Sequence, residues 1–295
     1  MTIFEEIKTS YRQGSVLHKI IYINVAVFLA LHIGVILMVL TNQIDRNQSI
    51  SEILKFLAVP SDLTLLSRKP WTVFTYMFTH GYLWHIVFNL LVLYWFGRFF
   101  IEEFGVKKLL GVYIYGGLAG ALLFVGFYNI FPFFEDVRQQ SVATGASASV
   151  MAIVIAVATM APNRQMHLIL IGPVRIIYVA LVLFVTSTIL DFTDNTGGKI
   201  AHMGGAVIGF IFANYYRNGH DMTRGFDKFI DSFLGLFKRR KNMKVTYKRP
   251  ADDYQYNKQK AEEQEEIDAI LDKISKGGYD SLTKTEKEKL FNMKK

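Results

Sequence analysis

Residues 145–161 read GASASVMAIVIAVATMA and run directly into Pro162-Asn163-Arg164. The stretch carries no charge, and from Ser147 to Ala161 it reads as one apolar helix. At ~1.5 Å per residue such a helix reaches only ~22 Å, against a hydrocarbon layer of ~30 Å. If Pro162-Asn163-Arg164 marks one membrane interface, Ser147 stops well short of the opposite surface. Residues 132–146 must then enter the bilayer to reach it. Non-helical backbone survives at that depth only when it is buried in protein or lines a water-filled cavity. The expected fold is therefore an all-α polytopic bundle with a re-entrant loop, a submerged serine and a cavity open to the outer side above it.

The rest of the chain supplies the bundle. Apolar segments near 20–40, 84–101, 108–131, 175–191 and 199–216 join 147–161, making six expected transmembrane helices. The 295 residues are 51% hydrophobic and the mean hydropathy is +0.24, too apolar for an ordinary soluble domain of this length. The second segment holds His85, Asn89 and Tyr94, and the sixth holds His202. Polar side chains at membrane depth face a bundle interior or a cavity, so these helices are expected to turn them inward. The loop from about 42 to 83 is long, rich in Phe and Leu, and holds Trp71 and Tyr76, which predicts a short helix or a lipid-contacting insertion.

Charge sets the orientation and the flanking regions. Residues 1–216 carry 14 basic and 11 acidic side chains, 217–249 carry 10 and 3, and 250–295 carry 9 and 11. The basic excess lies just past the last apolar segment, the placement that attracts anionic lipid headgroups. Nucleic acid is the alternative partner for such a patch and is not favoured, because the patch abuts a membrane segment. Phe226, Phe229, Ile230, Phe233 and Phe237 recur at helical spacing ahead of Lys238, Arg239, Arg240 and Lys241. That pattern predicts an interfacial amphipathic helix with a polybasic end. Four regions follow: a cytoplasmic segment 1–19, a membrane domain 20–216, a juxtamembrane segment 217–249, and a cytosolic part 250–295. In the last, 250–260 reads as linker. Apolar residues Ile267, Ile270, Leu271 and Ile274, the stop Gly277-Gly278, and the capping box Thr283 to Glu286 predict a helical hairpin. Loop charges together with the basic tail place both termini in the cytoplasm. The start of the chain shows neither a signal-peptide cleavage site nor an organellar leader, so the bacterial inner membrane is the expected location.

There is no cysteine, which removes thiolate nucleophiles and Cys-based metal sites, and no metal or cofactor is expected. The chemistry falls to Ser147 and His202. A serine hydroxyl is a weak nucleophile until an adjacent base takes its proton. Gly198, His202, Gly205 and Gly209 share one helix face, and Gly145, Ser149, Ala152 and Ala156 offer a small surface to meet it. Donors for a developing oxyanion are available from His85 and Asn89, one turn apart, and from the Ser147 backbone N–H at a helix N-terminus. His80 lies five residues before His85.

This set resembles the rhomboid family of intramembrane serine proteases. The resemblance covers about residues 70–216. It rests on Trp71, on His80-x4-His85-x3-Asn89, on Gly145-Ala146-Ser147, and on Ala201-His202-x2-Gly205-x3-Gly209. It implies a six-helix core and a Ser–His dyad, with Ser147 as nucleophile and His202 as general base. His85 and Asn89 match oxyanion positions and His80 a supporting one. Its implied substrates are single-pass proteins cleaved in or near their transmembrane segments. Four departures stand out. Ala148 replaces the glycine after the serine. Met151 stands where many members carry an aromatic that stacks on the base. Thr72 follows Trp71 in place of arginine. The acidic residue expected four after Gly97 is displaced to Glu102 or Glu103. The expected path takes a substrate helix between the second and fifth segments, with 191–199 as a lid hinged at Gly197 and Gly198. A non-catalytic adaptor for membrane clients and a small transporter are the rival readings.

Overall fold

The computed structural model describes residues 15–42, 45–168, 171–190, 196–237 and 253–292. Contacts divide the chain into two compact units, 1–237 and 238–295. The first begins with helix α1, Val16–Asn42, followed by α2, Arg46–Leu57. A two-residue strand β1 (Val59–Pro60), short helices α3 (Leu63–Arg68) and α4 (Thr72–Thr75), and a 3-10 turn at Tyr76–Phe78 lead to α5, Leu83–Phe104. Helix α6 spans Val106–Ile130 and strand β2 Val142–Ala143. Then come α7 (Ser147–Met160), a hairpin of β3 (Gln165–Leu168) and β4 (Gly172–Arg175), α8 (Ile176–Thr188), α9 (Thr196–Arg217) and α10 (Arg224–Phe237).

Among the described residues, α1, α5 and α6 are long and apolar enough to cross a membrane; α7 and α8 are shorter apolar helices. The expected segment 199–216 is helix α9, which carries polar and glycine residues through its first two turns. Helix α7 is the hub, packed against α5, α6, α8 and α9. Ten of its 14 residues are buried, from Ala148 to Ala158. That is why its sequence is apolar on every side instead of along one stripe. Small residues let its neighbours close in. A Cβ on Gly205 or Gly209 would fall almost onto the carbonyl oxygens of Ala148 and Ala152, and one on Gly120 would lie 2.6 Å from the Ala148 Cβ. The face presented to α9 therefore centres on Ala148 and Ala152. Gly145 precedes the helix and faces elsewhere.

The segment between α1 and α5 is structured, and its helices leave Phe56, Leu63, Trp71 and Phe74 exposed. Tyr113 on α6 donates to the Met77 carbonyl (2.8 Å) and the Tyr76 hydroxyl to the Gly117 carbonyl. These bonds fix residues 76–80 against α6. Strand β1 pairs antiparallel with β2, and Gly145 N–H donates to the Tyr76 carbonyl (2.9 Å). The loop entering α7 is thus sewn to the loop entering α5. At the other end Arg164 bonds both Glu102 and Glu103, joining the end of α5 to the turn after α7.

Helix α10 lies beside the start of α6, where Phe226 meets Tyr115 edge-on (5.8 Å) and Lys108 pairs with Asp221. Phe229 is exposed. The side chains of Phe233 and Phe237 and the polybasic run Lys238, Arg239, Arg240 and Lys241 lie outside the described residues. So do residues 1–14.

In the second unit α11 runs Asp253–Gly277 and α12 Lys284–Asn292. The expected linker is corrected here: from Asp253 onward it is helix. Its run of Gln, Lys, Ala and Glu favours helix, and Lys258 and Glu262 add an i,i+4 pair. Gly278 ends the helix at φ +73°, and the Glu286 carboxylate accepts from Thr283 N–H (2.8 Å) as the capping box requires. Ile270 and Leu282 are buried between the helices of this hairpin.

Candidate functional site

Ser147 is the first residue of α7, so its backbone N–H is among those a helix N-terminus leaves unpaired. The turn before it is set by Gly145, whose φ of +109° disfavours any side chain. Space demands glycine as well: a Cβ there would sit 2.6 Å from both Cε1 and Nε2 of His85. His85 therefore lies against the backbone two residues from the serine. His80 is fully buried, and its Nε2 accepts the Ala146 N–H (3.2 Å), pinning the residue just before Ser147. The two imidazoles meet edge-on at 4.9 Å. Asn89 is buried, and its amide donates to the His85 carbonyl (2.8 Å), leaving its second N–H available.

One cavity of about 150 Å³ brings Ser147 and Asn89 together with His202, while His80 and His85 are not among its lining residues. Its wall includes Phe88, Asn89 and Val92 of α5, Ser147, Met151 and Val154 of α7, Leu183, Thr186 and Ser187 of α8, and His202 of α9. Helices α5 and α8 each pack on α7, and both line the cavity between them. It runs from Ser147 along α7 toward Val154.

His202 does not depend on an aromatic neighbour for its orientation. Its Nδ1 lies 2.9 Å from the Ser187 carbonyl of α8. A carbonyl only accepts, so Nδ1 carries the proton and Nε2 keeps its lone pair. Met151, standing where the family often has an aromatic, is buried in the same cavity wall. Ala148 is accommodated because Gly120 of α6 has no side chain opposite it. Ser147 and His202 share the cavity without a hydrogen bond between their side chains among the described residues. Gly197 and Gly198 belong to the first turn of α9, and a Cβ on Gly197 would meet Phe124 at 2.7 Å. Gly197 is thus packed against α6; residues 191–195 of the expected lid lie outside the described residues. Ser187 and Lys199 were not singled out from sequence. Ser187 acts through its backbone, for which side-chain identity gives no signal.

A helix-borne site of this kind, with a serine at the start of a short apolar helix and a histidine on a glycine-faced helix, fits a polytopic membrane protein of the rhomboid type. The comparisons agree. The Rhomboid domain family model matches residues 67–219, and a family of unknown function (DUF6576) matches 252–293. The chain belongs to the rhomboid family. RHOMBOID-like protein 12, mitochondrial, from Arabidopsis thaliana is 29% identical over 160 residues, 50% of this chain and 47% of that protein. The match thus spans about half of that relative's length.

Proposed function

We propose that this chain is an intramembrane serine endopeptidase with six membrane helices, which cleaves transmembrane segments of other membrane proteins. The observation that carries this reading is the shared cavity. Ser147, Asn89 and His202 line it together, and His202 is held through Nδ1 with Nε2 left free. In the proposed cycle Nε2 takes the Ser147 proton as the oxygen attacks the scissile carbonyl. The Ser187 carbonyl then stabilises the imidazolium through its Nδ1–H. The free N–H of Asn89, the His85 ring and the Ser147 backbone N–H stabilise the oxyanion. His202 returns the proton to the leaving amine, and water hydrolyses the acyl-enzyme with the same base. A substrate helix reaches the serine through the gap between α5 and α8. Its end must unwind there, so small or helix-breaking residues near the cut favour cleavage. Positive charge near the tail supports cytoplasmic termini in a bacterial inner membrane, with anionic lipid at Lys238–Lys241.

The test is labelling by a fluorophosphonate in liposomes. Wild-type protein should label at one site and Ser147→Ala should not. Equal labelling of the two would overturn the protease reading and favour a client-binding adaptor. A flux surviving Ser147→Ala would point to a transporter.

A further inference from the structure

Helix α8 (Ile176–Thr188) buries only a few of its side chains. Its buried residues are Ile176, Ala180 and Thr188, while Leu181 and Val182 are exposed. Its final carbonyls lack helical partners, as at any helix end. The Val185 carbonyl takes the N–H groups of Ile189 and Leu190. The Ser187 carbonyl takes His202 Nδ1 at 2.9 Å, and the Leu190 carbonyl takes Lys199 Nζ at 2.7 Å. On α9 the two donors are three residues apart; on the α8 end the two acceptors are three residues apart in the opposite order. The pair forms a two-rung ladder between antiparallel segments.

Lys199 is an unexpected residue for that place. It is 9% exposed and lies in the first turn of α9. Burial disfavours an ammonium, and the positive end of a helix dipole disfavours it again. We infer that Lys199 is a positioning residue: by holding the Leu190 carbonyl it fixes the tip of α8, and so the Ser187 carbonyl that orients His202. The inference rests on the protease reading for its kinetic consequence but not for its geometry. Without the outer rung the tip of α8 drifts, Ser187 leaves Nδ1, and the imidazole loses its single tautomer and its aim at Ser147.

The experiment compares full-length wild type with Lys199→Met, which keeps length but no donor, and Lys199→Arg, which keeps a donor. Fluorophosphonate labelling and cleavage of a fluorogenic single-span reporter are measured in liposomes. Lys199→Met should lower the labelling rate and kcat about tenfold with KM unchanged, the cost of a misaligned base. Lys199→Arg should recover most of the loss. Nitrogen-15 NMR of His202 is a readout that needs no activity: wild type should show one Nδ1–H tautomer and Lys199→Met a mixture. Wild-type labelling or an unchanged tautomer in Lys199→Met, or equal impairment of Met and Arg variants, overturns the inference. Absence of labelling in wild type itself overturns the protease reading and leaves the NMR comparison to decide this one.

Discussion

Replacing Gly205 by alanine tests whether helix spacing positions the site. Gly205 on α9 faces the backbone of Ala148, the residue after Ser147. A Cβ at Gly205 would lie almost on the Ala148 carbonyl oxygen and 3.1 Å from its Cα. Carbon and oxygen settle at ~3.3–3.6 Å in close helix contacts, so α7 and α9 must part by more than ~1 Å. Overpacking of this sort costs ~1–3 kcal/mol, which outweighs the ~0.5–1 kcal/mol alanine gains over glycine in a helix. The functional effect should be larger than the structural one. Ser147 rides on α7 and His202 on α9, and a ~1 Å misplacement of reacting groups costs on the order of 100-fold. Gly126 on α6 is the control, since a Cβ there meets nothing within 4 Å. The assay is the fluorophosphonate labelling rate in liposomes, with thermal unfolding in parallel. Gly126→Ala should label like wild type and Gly205→Ala on the order of 100-fold more slowly. Labelling of a folded Gly205→Ala within about twofold of wild type would refute the reasoning, because so small a loss is far below that of a ~1 Å displacement.

Gly145→Ala should cut labelling at least about tenfold, since it adds strain of ~1–3 kcal/mol at φ +109° and displaces His85; measured labelling and a His85 NMR shift check it. Arg164→Ala should lower the melting midpoint by about 2–4 °C while leaving labelling unchanged, because its two part-exposed ion pairs are each worth up to ~1 kcal/mol. The loss should shrink in high salt. The Asp221 carboxyl has a lowered pKa: burial alone would raise it, but bonds from Lys108 and from the Thr223 hydroxyl and N–H outweigh that. A depressed acid stabilises above its unfolded pKa of ~3.9 and loses that contribution as pH falls through the lower folded value. A melting curve of wild type should therefore fall more steeply below about pH 4 than that of Asp221→Asn. Deleting residues 250–295 should leave reporter cleavage in liposomes largely intact; abolished cleavage in correctly inserted protein would make the hairpin part of the enzyme.

Much of this was legible because membrane depth constrains sequence so strongly. The apolar run from Ser147 marked out a short helix, and α7 begins at that residue. Gly205 and Gly209 announced a close helix contact, and one exists, though with Ala148 and Ala152 as its counterpart. The hairpin stop and capping box at 277–286 were local rules locally obeyed. Polarity alone does not separate linker from helix over 250–260, because charged residues of high helix propensity form exposed helix equally well.

Other features depend on which distant parts meet. The amino-acid order alone pointed to a membrane bundle, a serine at the start of a short apolar helix, and a histidine on a glycine-lined face, because periodicity, length and the cost of polar groups in lipid are local properties. Only the tertiary structure decided that Gly145 makes room for His85, and that Gly120 makes room for Ala148. It also decided that His202 takes its orientation from a backbone carbonyl of α8 instead of an aromatic on α7. A carbonyl has the same chemistry under every side chain, so its use as a partner leaves no mark in the sequence until the fold brings it there.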